Sequence, residues 1–275
     1  MAKLEVNNLT LAYGKTIVID TMSFSVNRGE MLGLIGPNGS GKSTLIKAIS
    51  HVIAPRSGRI TIDGRDVSVT HRSELARLLG VVPQTPILPS SFSAFEIVLM
   101  GRNPHLGLLR YESENDISIT YQAMERTATL PFAERRIGEL SGGEIQRIVI
   151  ARALAQQTEV ILLDEPTANL DINHQLEILD LIKSLCTQNH LTVIITLHDL
   201  NLAAQYCDRL VLIKKGIVHA QGTPEEVITT DNIREVYGTD NCVYTHPVNG
   251  RPTVLLQAGG SRNGIVNGNI KPEMN

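Results

Sequence analysis

The sequence predicts an α/β fold: a parallel sheet with helices, an antiparallel β subdomain near the N-terminus, and an inserted α-helical subdomain. Three observations support this prediction. Short apolar runs that suit buried strands alternate with stretches of helical spacing. A glycine-rich turn joins one apolar run to a helix, and a proline-rich linker at 81–91 precedes a long helical region. Alternation of strand and helix is typical of sheets with parallel strands.

The predicted elements follow one another along the chain. Residues 4–26 form short antiparallel strands that break at Asn7-Asn8 and Tyr13-Gly14. The next elements are strands at 31–36, 59–62, 80–84, 158–166, 191–197 and 209–215, and helices at 42–53, 73–79, 172–187 and 200–207, with a helical region from 94 to 156. Beyond residue 240, we expect two strands joined by an Asn249-Gly250 turn.

These elements divide the chain into a core and an inserted subdomain. We expect residues 1–88 and 157–240 to form the α/β core with its antiparallel β subdomain, and residues 89–156 to form the helical subdomain. Residues 241–258 then form a β extension. The tail at 259–275 is rich in Gly and Asn, so it is predicted to be disordered.

Composition narrows the class of protein. The 275 residues, 42% hydrophobic and 19% charged, are typical of a globular protein with a substantial core. The net charge of −3 argues against a nucleic-acid partner. Cys186, Cys207 and Cys242 have the spacing of neither a metal site nor a disulfide framework, so we expect buried thiols. No signal-peptide core or bilayer-spanning apolar run is found, so work at a membrane would require another chain to span it.

The stretch "GPNGSGKST" matches the phosphate-binding loop G-x-x-x-x-G-K-[ST] and lies, as that motif requires, between an apolar strand and a helix. An ordinary glycine-rich turn would not supply the whole motif in this setting. The loop predicts a P-loop NTPase (RecA-like) core that binds ATP and Mg²⁺, with Lys42 reaching the β- and γ-phosphates and Ser43 ligating the metal. The predicted ATP-binding residues of the loop are Gly36, Pro37, Asn38, Gly39, Ser40, Gly41, Lys42, Ser43 and Thr44.

Polar side chains follow several of the predicted parallel strands. Asp164 ends the apolar run "VILLDEP" and is a candidate Mg²⁺ ligand, and the adjacent Glu165 is a candidate general base. Gln84 follows another strand and is a candidate for contact with both Mg²⁺ and the attacking water. His198 follows a third strand. Each residue alone has a plainer structural explanation. Ligands gather at the carboxyl ends of parallel strands, so we expect Gly36, Gln84, Asp164 and His198 to lie at one edge of the sheet.

Tyr13 is a candidate for contact with the adenine ring. The chain has no Trp and only 4% aromatic residues, so few side chains could stack on a base. Tyr13 lies in the predicted turn "LAYGKT". Stacking on adenine and packing within the protein both remain open for this residue.

The stretch "LSGGEIQRIVIARALAQ" at 140–156 has helical spacing and opens with two glycines. A helix that begins in this way presents free backbone N–H groups, which suit an anion. Because the loop at 36–44 already provides a phosphate cradle, a single chain leaves this second anion site without a ligand.

The sequence resembles the ATP-binding cassette (ABC) proteins from its first strands to about Gly238. "GPNGSGKST", "LSGGE", "ILLDEP", Asn169-Leu170-Asp171 and His198 occur in the order and spacing of that family. The resemblance implies a homodimer with two ATP molecules sandwiched head to tail, in which "LSGGE" of one chain caps the γ-phosphate held by the other. The residues it implies for contact with the partner's ATP are Ser141, Gly142, Gly143, Glu144 and Asp171.

Further stretches resemble the subunits that energise import of metal chelates: ferric siderophores, haem and vitamin B12. They include "VLMGRNPHLG", "LHDLNLAAQYCDRLVLIKKG" and "HPVNGRP". The resemblance implies a separate membrane permease dimer that docks beside the Gln84 linker. It also implies a substrate-binding protein that associates only indirectly, through the permease. The chain itself would be peripheral, at the cytoplasmic face of the cell membrane. The resemblance implies no direct contact with the chelate and no nucleic acid. His105 has no second ligand at suitable spacing, so we expect a structural role for it.

Two alternatives are weighed against an importer subunit. A soluble cassette ATPase acting on nucleic acid or ribosomes usually carries two cassettes, long insertions or basic arms, which this chain lacks. A P-loop kinase or GTPase has no place for "LSGGE" and His198. The importer subunit is therefore the favoured prediction, and the soluble cassette ATPase is the alternative.

Overall fold

The computed structural model describes residues 2–106, 111–239 and 241–255. The strands are β1 (Ala2–Tyr13), β2 (Thr16–Asn27), β3 (Met31–Ile35), β4 (Ser57–Ile62), β5 (Arg65–Asp66), β6 (Leu79–Val82), β7 (Val160–Leu163), β8 (Thr192–Thr196), β9 (Arg209–Lys214), β10 (Ile217–Gly222), β11 (Cys242–Thr245) and β12 (Pro252–Leu255). The α-helices are α1 (Lys42–Ile49), α2 (Arg72–Leu78), α3 (Ala94–Leu99), α4 (Glu114–Arg126), α5 (Gly142–Ala155), α6 (Ile172–Asn189), α7 (Leu200–Tyr206), α8 (Pro224–Val227) and α9 (Thr230–Tyr237).

A six-stranded sheet forms the centre of the fold, in the order β10-β9-β3-β8-β7-β6. The strands from β9 to β6 are parallel, and β10 pairs antiparallel with β9 at the edge. A separate antiparallel sheet has the order β2-β1-β4-β5, and β11 and β12 form a hairpin. The predicted α/β class, with an antiparallel subdomain and a helical insertion, is confirmed.

The central strands are buried on both faces, which explains their continuous apolar sequences. In β3, Met31 and Ile35 pack into the hydrophobic cluster on one face of the sheet. Leu32 and Leu34 pack into the cluster on the other face, because successive side chains of a strand point in opposite directions. Packing from both sides fixes the sheet, so the loops at the carboxyl ends of its strands begin from a rigid edge.

The antiparallel sheet differs from the prediction in one respect. β1 runs without interruption from Ala2 to Tyr13, so the predicted break at Asn7-Asn8 is wrong. The pairing register with β2 shifts at this point, and Asn8 has a positive φ of 48°. The backbone N–H of Asn8 donates to the Ser23 hydroxyl at 2.8 Å, so the strand bulges rather than ends. The predicted turn after Tyr13 is present.

The inserted helices α3, α4 and α5 pack around a hydrophobic cluster of their own. Each begins with a capping box, formed by Ser93 and Glu96, Ser113 and Asp116, and Ser141 and Glu144. His105 contacts the carbonyl oxygen of Gln156 at 2.8 Å, in agreement with a structural role. These contacts support the predicted helical subdomain, whose boundaries stay predictions.

The C-terminal region contains elements that the sequence patterns did not predict. β10, α8 and α9 were not anticipated, because they are short and only partly buried. The predicted terminal hairpin is present, and the predicted Asn249-Gly250 pair lies in the connection between its strands, residues 246–251. The backbone N–H of Gly250 donates to the carbonyl oxygen of His246 at 3.0 Å. The tail predicted to be disordered lies outside the described residues. No helix in the described part of the chain has both the length and the apolar character needed to cross a membrane.

The cysteines have the environments expected of thiols in a core. Cys186 and Cys207 are buried, and Cys242 is partly buried in the terminal hairpin. Burial raises the pKa of the Cys186 thiol to about 12, so it stays protonated. The expectation of buried thiols is therefore met for Cys186 and Cys207, but only in part for Cys242.

Candidate functional site

The phosphate-binding loop connects β3 to α1 and curls around its own lysine. Gly36 and Gly41 have φ values of 147° and 108°, which a side chain would strain. The ammonium group of Lys42 donates to the carbonyl oxygens of Gly36 at 2.8 Å and Pro37 at 3.1 Å. Burial lowers the pKa of Lys42, and the nearby carboxylates of Glu165 and Asp164 partly oppose this effect. The loop therefore holds a cation at its centre.

The loop borders a cleft of about 210 Å³. Its lining contains most of the predicted ATP-binding residues together with two of the predicted catalytic ones: Tyr13, Asn38, Gly39, Gly41, Lys42, Ser43, Thr44, Glu165 and His198. Ser40 is buried behind the loop, where its carbonyl oxygen accepts from the backbone N–H of Gly216 at 3.1 Å. Tyr13 is 51% exposed at the rim, which favours stacking over core packing, although its contact with adenine stays a prediction.

Asp164 lies directly after β7 and faces the loop. One oxygen of its carboxylate, Oδ1, accepts from the hydroxyl of Ser43 at 3.1 Å and from the hydroxyl of Thr196 at 2.9 Å. Ser43 and Asp164 thus place a hydroxyl and a carboxylate side by side, and oxygen donors are the ligands that Mg²⁺ prefers. No cluster of three or more His, Cys, Asp or Glu suited to a metal is found among the described residues. The donor set fits a cation that takes its remaining ligands from phosphates and water.

Glu165 is the centre of a second group of polar side chains. Its Oε1 lies 2.5 Å from Nε2 of His198, and its Oε2 accepts from the side-chain amide of Gln84 at 2.5 Å. In this arrangement the Gln84 amide faces Glu165 rather than Ser43 and Asp164. The structure therefore brings three of the predicted catalytic residues together at the carboxyl edge of the sheet.

The backbone at Glu165 has a conformation that is uncommon for a side-chain-bearing residue. Its φ is 49°, and its N–H donates to the hydroxyl of Thr196 at 2.7 Å. Such conformations persist only where the surroundings hold them in place, and they cluster at functional sites. Thr196 was not anticipated, since a threonine in the apolar run "LTVIITL" is an ordinary strand residue. Its one signal is a hydroxyl at the carboxyl end of the strand, directly after three apolar residues.

The glycine pair at the start of α5 lies apart from the cleft. Among the described residues that line the cleft, none belongs to the stretch Ser141–Glu144. Ser141 and Gly142 are exposed, and the ring of His174 covers Gly143, where an added Cβ would lie 2.7 Å from Cδ2 of His174. Hydrogen bonds from Ser141 lower the pKa of Glu144, so its carboxylate stays charged. This part of the predicted site therefore lies outside the described lining of the cleft in the same chain.

Asp171 lies on the same side as the glycine pair. It caps α6 by accepting from the backbone N–H of His174 at 2.9 Å, and the Nδ1 of His174 lies 2.8 Å from its Oδ1. The backbone and side-chain bonds from His174 lower the pKa of the Asp171 carboxyl. The Asp171 side chain is 66% exposed. Asp171 and the glycine pair therefore form one exposed surface, linked through His174.

A larger groove of about 760 Å³ separates the sheet from the inserted helices. Its lining combines apolar side chains with basic ones, including Leu75, Met100, His51, Arg72 and Arg152. The guanidinium of Arg152 is partly buried, with no hydrogen-bonding or ion-pairing partner among the described residues. The groove thus carries a cation that an acidic side chain of a partner would complement.

Comparison with known proteins agrees with this geometry. Residues 19–168 match the family of ABC transporters. The chain is 39% identical over 259 residues to the petrobactin import ATP-binding protein FpuD of Bacillus anthracis, covering 94% of this chain and 95% of that one. It is 40% identical over 251 residues to the cobalamin import ATP-binding protein BtuD of Halobacterium salinarum, covering 91% of this chain and 63% of that one.

Solved structures show the same likeness. An ABC transporter assigned to the metal-chelate type, in an inward-facing conformation, superposes with a TM-score of 0.82 at 28% identity, covering 94% of this chain and 99% of that one. The dimeric cassette MJ0796 superposes with a TM-score of 0.70 at 29% identity, covering 80% of this chain and 98% of that one.

The chain belongs to the ABC transporter family. It is the ATP-binding and ATP-hydrolysing subunit of such a transporter. The cleft at the phosphate loop is its candidate nucleotide site.

Substitution of Gly36 tests this assignment of the cleft. In G36A the new Cβ would lie 2.3 Å from the carbonyl oxygen of Ile213 and 3.0 Å from the Ser40 hydroxyl, so the loop must shift. We expect the Kd for ATP, measured by calorimetry, to rise about tenfold or more. Gly64 has a positive φ of 75° with open space around it, so G64A is the matched control for backbone strain and should bind ATP normally. Equal Kd values for G36A and wild type would contradict the assignment.

Proposed function

We propose that this chain energises the import of a metal chelate, such as an iron–siderophore, a corrinoid or haem, through a separate membrane permease. The observation that carries the proposal is the near-complete match to FpuD, an ATP-binding protein of petrobactin import, together with the match to BtuD, one of cobalamin import. The structural likeness to a transporter of the metal-chelate type supports it. The net charge of −3 disfavours a soluble cassette ATPase acting on nucleic acid or ribosomes.

The groove between the sheet and the inserted helices is the proposed docking site of the permease. It lies beside β6, whose end leads into the Gln84 linker, so an occupant could act on the catalytic cluster through that linker. Arg152 favours an acidic side chain on the docking segment. Docking there would place the chain at the cytoplasmic face of the membrane. A substrate-binding protein would then act through the permease, without touching this chain.

Hydrolysis is proposed to use the cluster around Glu165. The Glu165 carboxylate accepts a proton from the attacking water, and Gln84 and His198 hold that carboxylate and the water in position. Lys42 and the backbone N–H groups of the loop stabilise charge on the transferred phosphoryl group. When bound, Mg²⁺ would be held by Ser43 and Asp164, with Gln84 as a further candidate ligand, and would neutralise charge on the phosphates.

A homodimer would complete the site. Ser141, Gly142, Gly143 and Glu144 begin α5 away from their own cleft, and the exposed Asp171 shares their surface. The free N–H groups at this helix end suit the γ-phosphate of ATP bound to a second copy. The dimeric form of a related cassette supports this arrangement. ATP binding would then close the dimer and drive the permease, and hydrolysis would reopen it.

Glu165→Gln tests the general base. The amide keeps the size of the side chain but cannot accept the proton, so we expect ATP binding to persist while kcat falls about 100-fold or more. Steady-state phosphate release and calorimetry with ATP measure the two quantities. Glu159 precedes the same strand and contacts Lys3 and Arg28, so E159Q is a matched control that should hydrolyse ATP normally. Hydrolysis by E165Q at the wild-type rate would refute the assignment of the base.

Ser141→Arg tests whether the glycine pair acts on a second copy. Arginine at this exposed position would obstruct the dimer surface without reaching its own cleft, so hydrolysis should be lost while each monomer still binds ATP. Ser113 caps α4 with the same kind of box, so S113R controls for the lost helix cap, which costs about 1 kcal/mol. Loss of ATP binding by monomeric S141R would argue that the residue acts within its own chain.

Uptake measurements test the class of substrate. A strain lacking this chain is supplied with radiolabelled ferric siderophore, cobalamin or haem, and accumulation of one of them should fail. Wild-type chain should restore uptake and E165Q should not, because transport requires hydrolysis. Normal uptake of all three chelates, with the chain absent from the membrane fraction, would contradict the proposal and favour the soluble alternative.

A further inference from the structure

We infer that Thr196 is a positioning residue for ATP hydrolysis: its hydroxyl sets the orientation of the Asp164 carboxylate and the backbone conformation of Glu165 together. The inference rests on the proposed role of Glu165 as the base. It extends that proposal to a residue that is not among the described residues lining the cleft.

The two hydrogen bonds of the Thr196 hydroxyl define its position. The hydroxyl donates its proton to Oδ1 of Asp164 at 2.9 Å and accepts the backbone N–H of Glu165 at 2.7 Å. A hydroxyl has one proton to donate and lone pairs to accept, so both bonds form simultaneously. One atom of β8 thus contacts both acidic residues that follow β7.

Burial makes this contact rigid. Thr196 is 0% exposed, and its branched side chain has restricted χ1 rotamers within a strand. Its neighbours in β8 are apolar, so the hydroxyl finds its partners at the end of β7, and a buried hydroxyl without partners would be costly. The hydroxyl therefore has one favourable orientation. Through its two hydrogen bonds, it fixes Asp164 and the backbone of Glu165 relative to β8.

Each bond has a distinct consequence for the site. Asp164 Oδ1 also accepts from Ser43, so the two hydroxyls fix the carboxylate and determine which of its lone pairs remain for a ligand. The bond to the Glu165 N–H holds the residue at its positive φ of 49°, and this backbone turn directs its side chain toward His198 and Gln84. Without the hydroxyl, the Glu165 backbone can relax and move the base away from the water.

The test compares T196V with T196S in the full-length chain. Valine keeps the size of the side chain and removes the hydroxyl, whereas serine keeps the hydroxyl. We expect T196V to lower kcat about 10- to 100-fold with little change in the KM for ATP, and T196S to stay within about threefold of wild type. The Mg²⁺ concentration that gives half-maximal rate should rise in T196V alone.

Thr192 supplies the matched control at the other end of the same strand. It is 1% exposed, and its hydroxyl accepts the backbone N–H of Gly29 at 3.1 Å. T192V therefore removes a buried hydroxyl and one backbone hydrogen bond far from the acidic pair. Thermal unfolding of both valine variants measures the loss of stability, and T192V should keep the wild-type kcat.

Three results would overturn the inference: an unchanged kcat in T196V, an equal loss in T192V, or failure of T196S to retain activity. E165Q, measured in parallel, separates this inference from the proposal beneath it. If E165Q is inactive while T196V is active, the positioning role fails and the base assignment stands. If E165Q is active, the base assignment fails and the positioning role fails with it.

Discussion

The carboxylate of Asp164 holds together the carboxyl ends of three neighbouring strands. Asp164 itself directly follows β7. Its carboxylate accepts from the hydroxyl of Ser43, in the helix that follows the phosphate loop after β3, and from the hydroxyl of Thr196 at the end of β8. Because these strands are buried on both faces, their ends move little relative to one another. One rigid region of the protein therefore contains the phosphate loop, the candidate metal ligands and the strained backbone of Glu165. Gln84 joins it from the end of the adjacent β6, through its contact with Glu165.

In the proposed homodimer, a single chain contains only part of an ATPase site. Lys42, Ser43, Glu165 and His198 line the cleft, but none of the described residues that line it comes from the start of α5. The helix end that could complete it, at Ser141, lies on another surface of the same molecule, beside Asp171. In the proposed homodimer, this separation would give the two glycine motifs different ligands. Hydrolysis would then depend on a second copy, and a transporter would control the reaction through the contact between the two copies.

Much of this could be predicted from the sequence, for identifiable reasons. Periodicity and the glycine-rich loop predicted the central strands. They also predicted that Gly36, Gln84, Asp164 and His198 lie at one edge of the sheet, because the carboxyl ends of parallel strands meet there. Thr196 could not be predicted, since its role depends on which strand lies next to β7, and a threonine in a strand is ordinary. The continuity of β1 through Asn8 was missed because a bulge and a break have similar sequences. The terminal hairpin was predicted from its Asn249-Gly250 pair, which lies in the connection 246–251. The roles of the individual site residues stay predictions.

A crystal structure of the E165Q chain with ATP and Mg²⁺ would show directly whether the proposed homodimer completes the site. We expect a two-fold dimer in which Ser141 and the backbone of Gly143 from one copy lie within hydrogen-bond distance of the γ-phosphate held by the partner's phosphate loop. We also expect Ser43 and Asp164 to lie at the metal, with Thr196 still bonded to Asp164. A nucleotide enclosed within a single chain, with its own Ser141 against the γ-phosphate, would refute the proposed dimer.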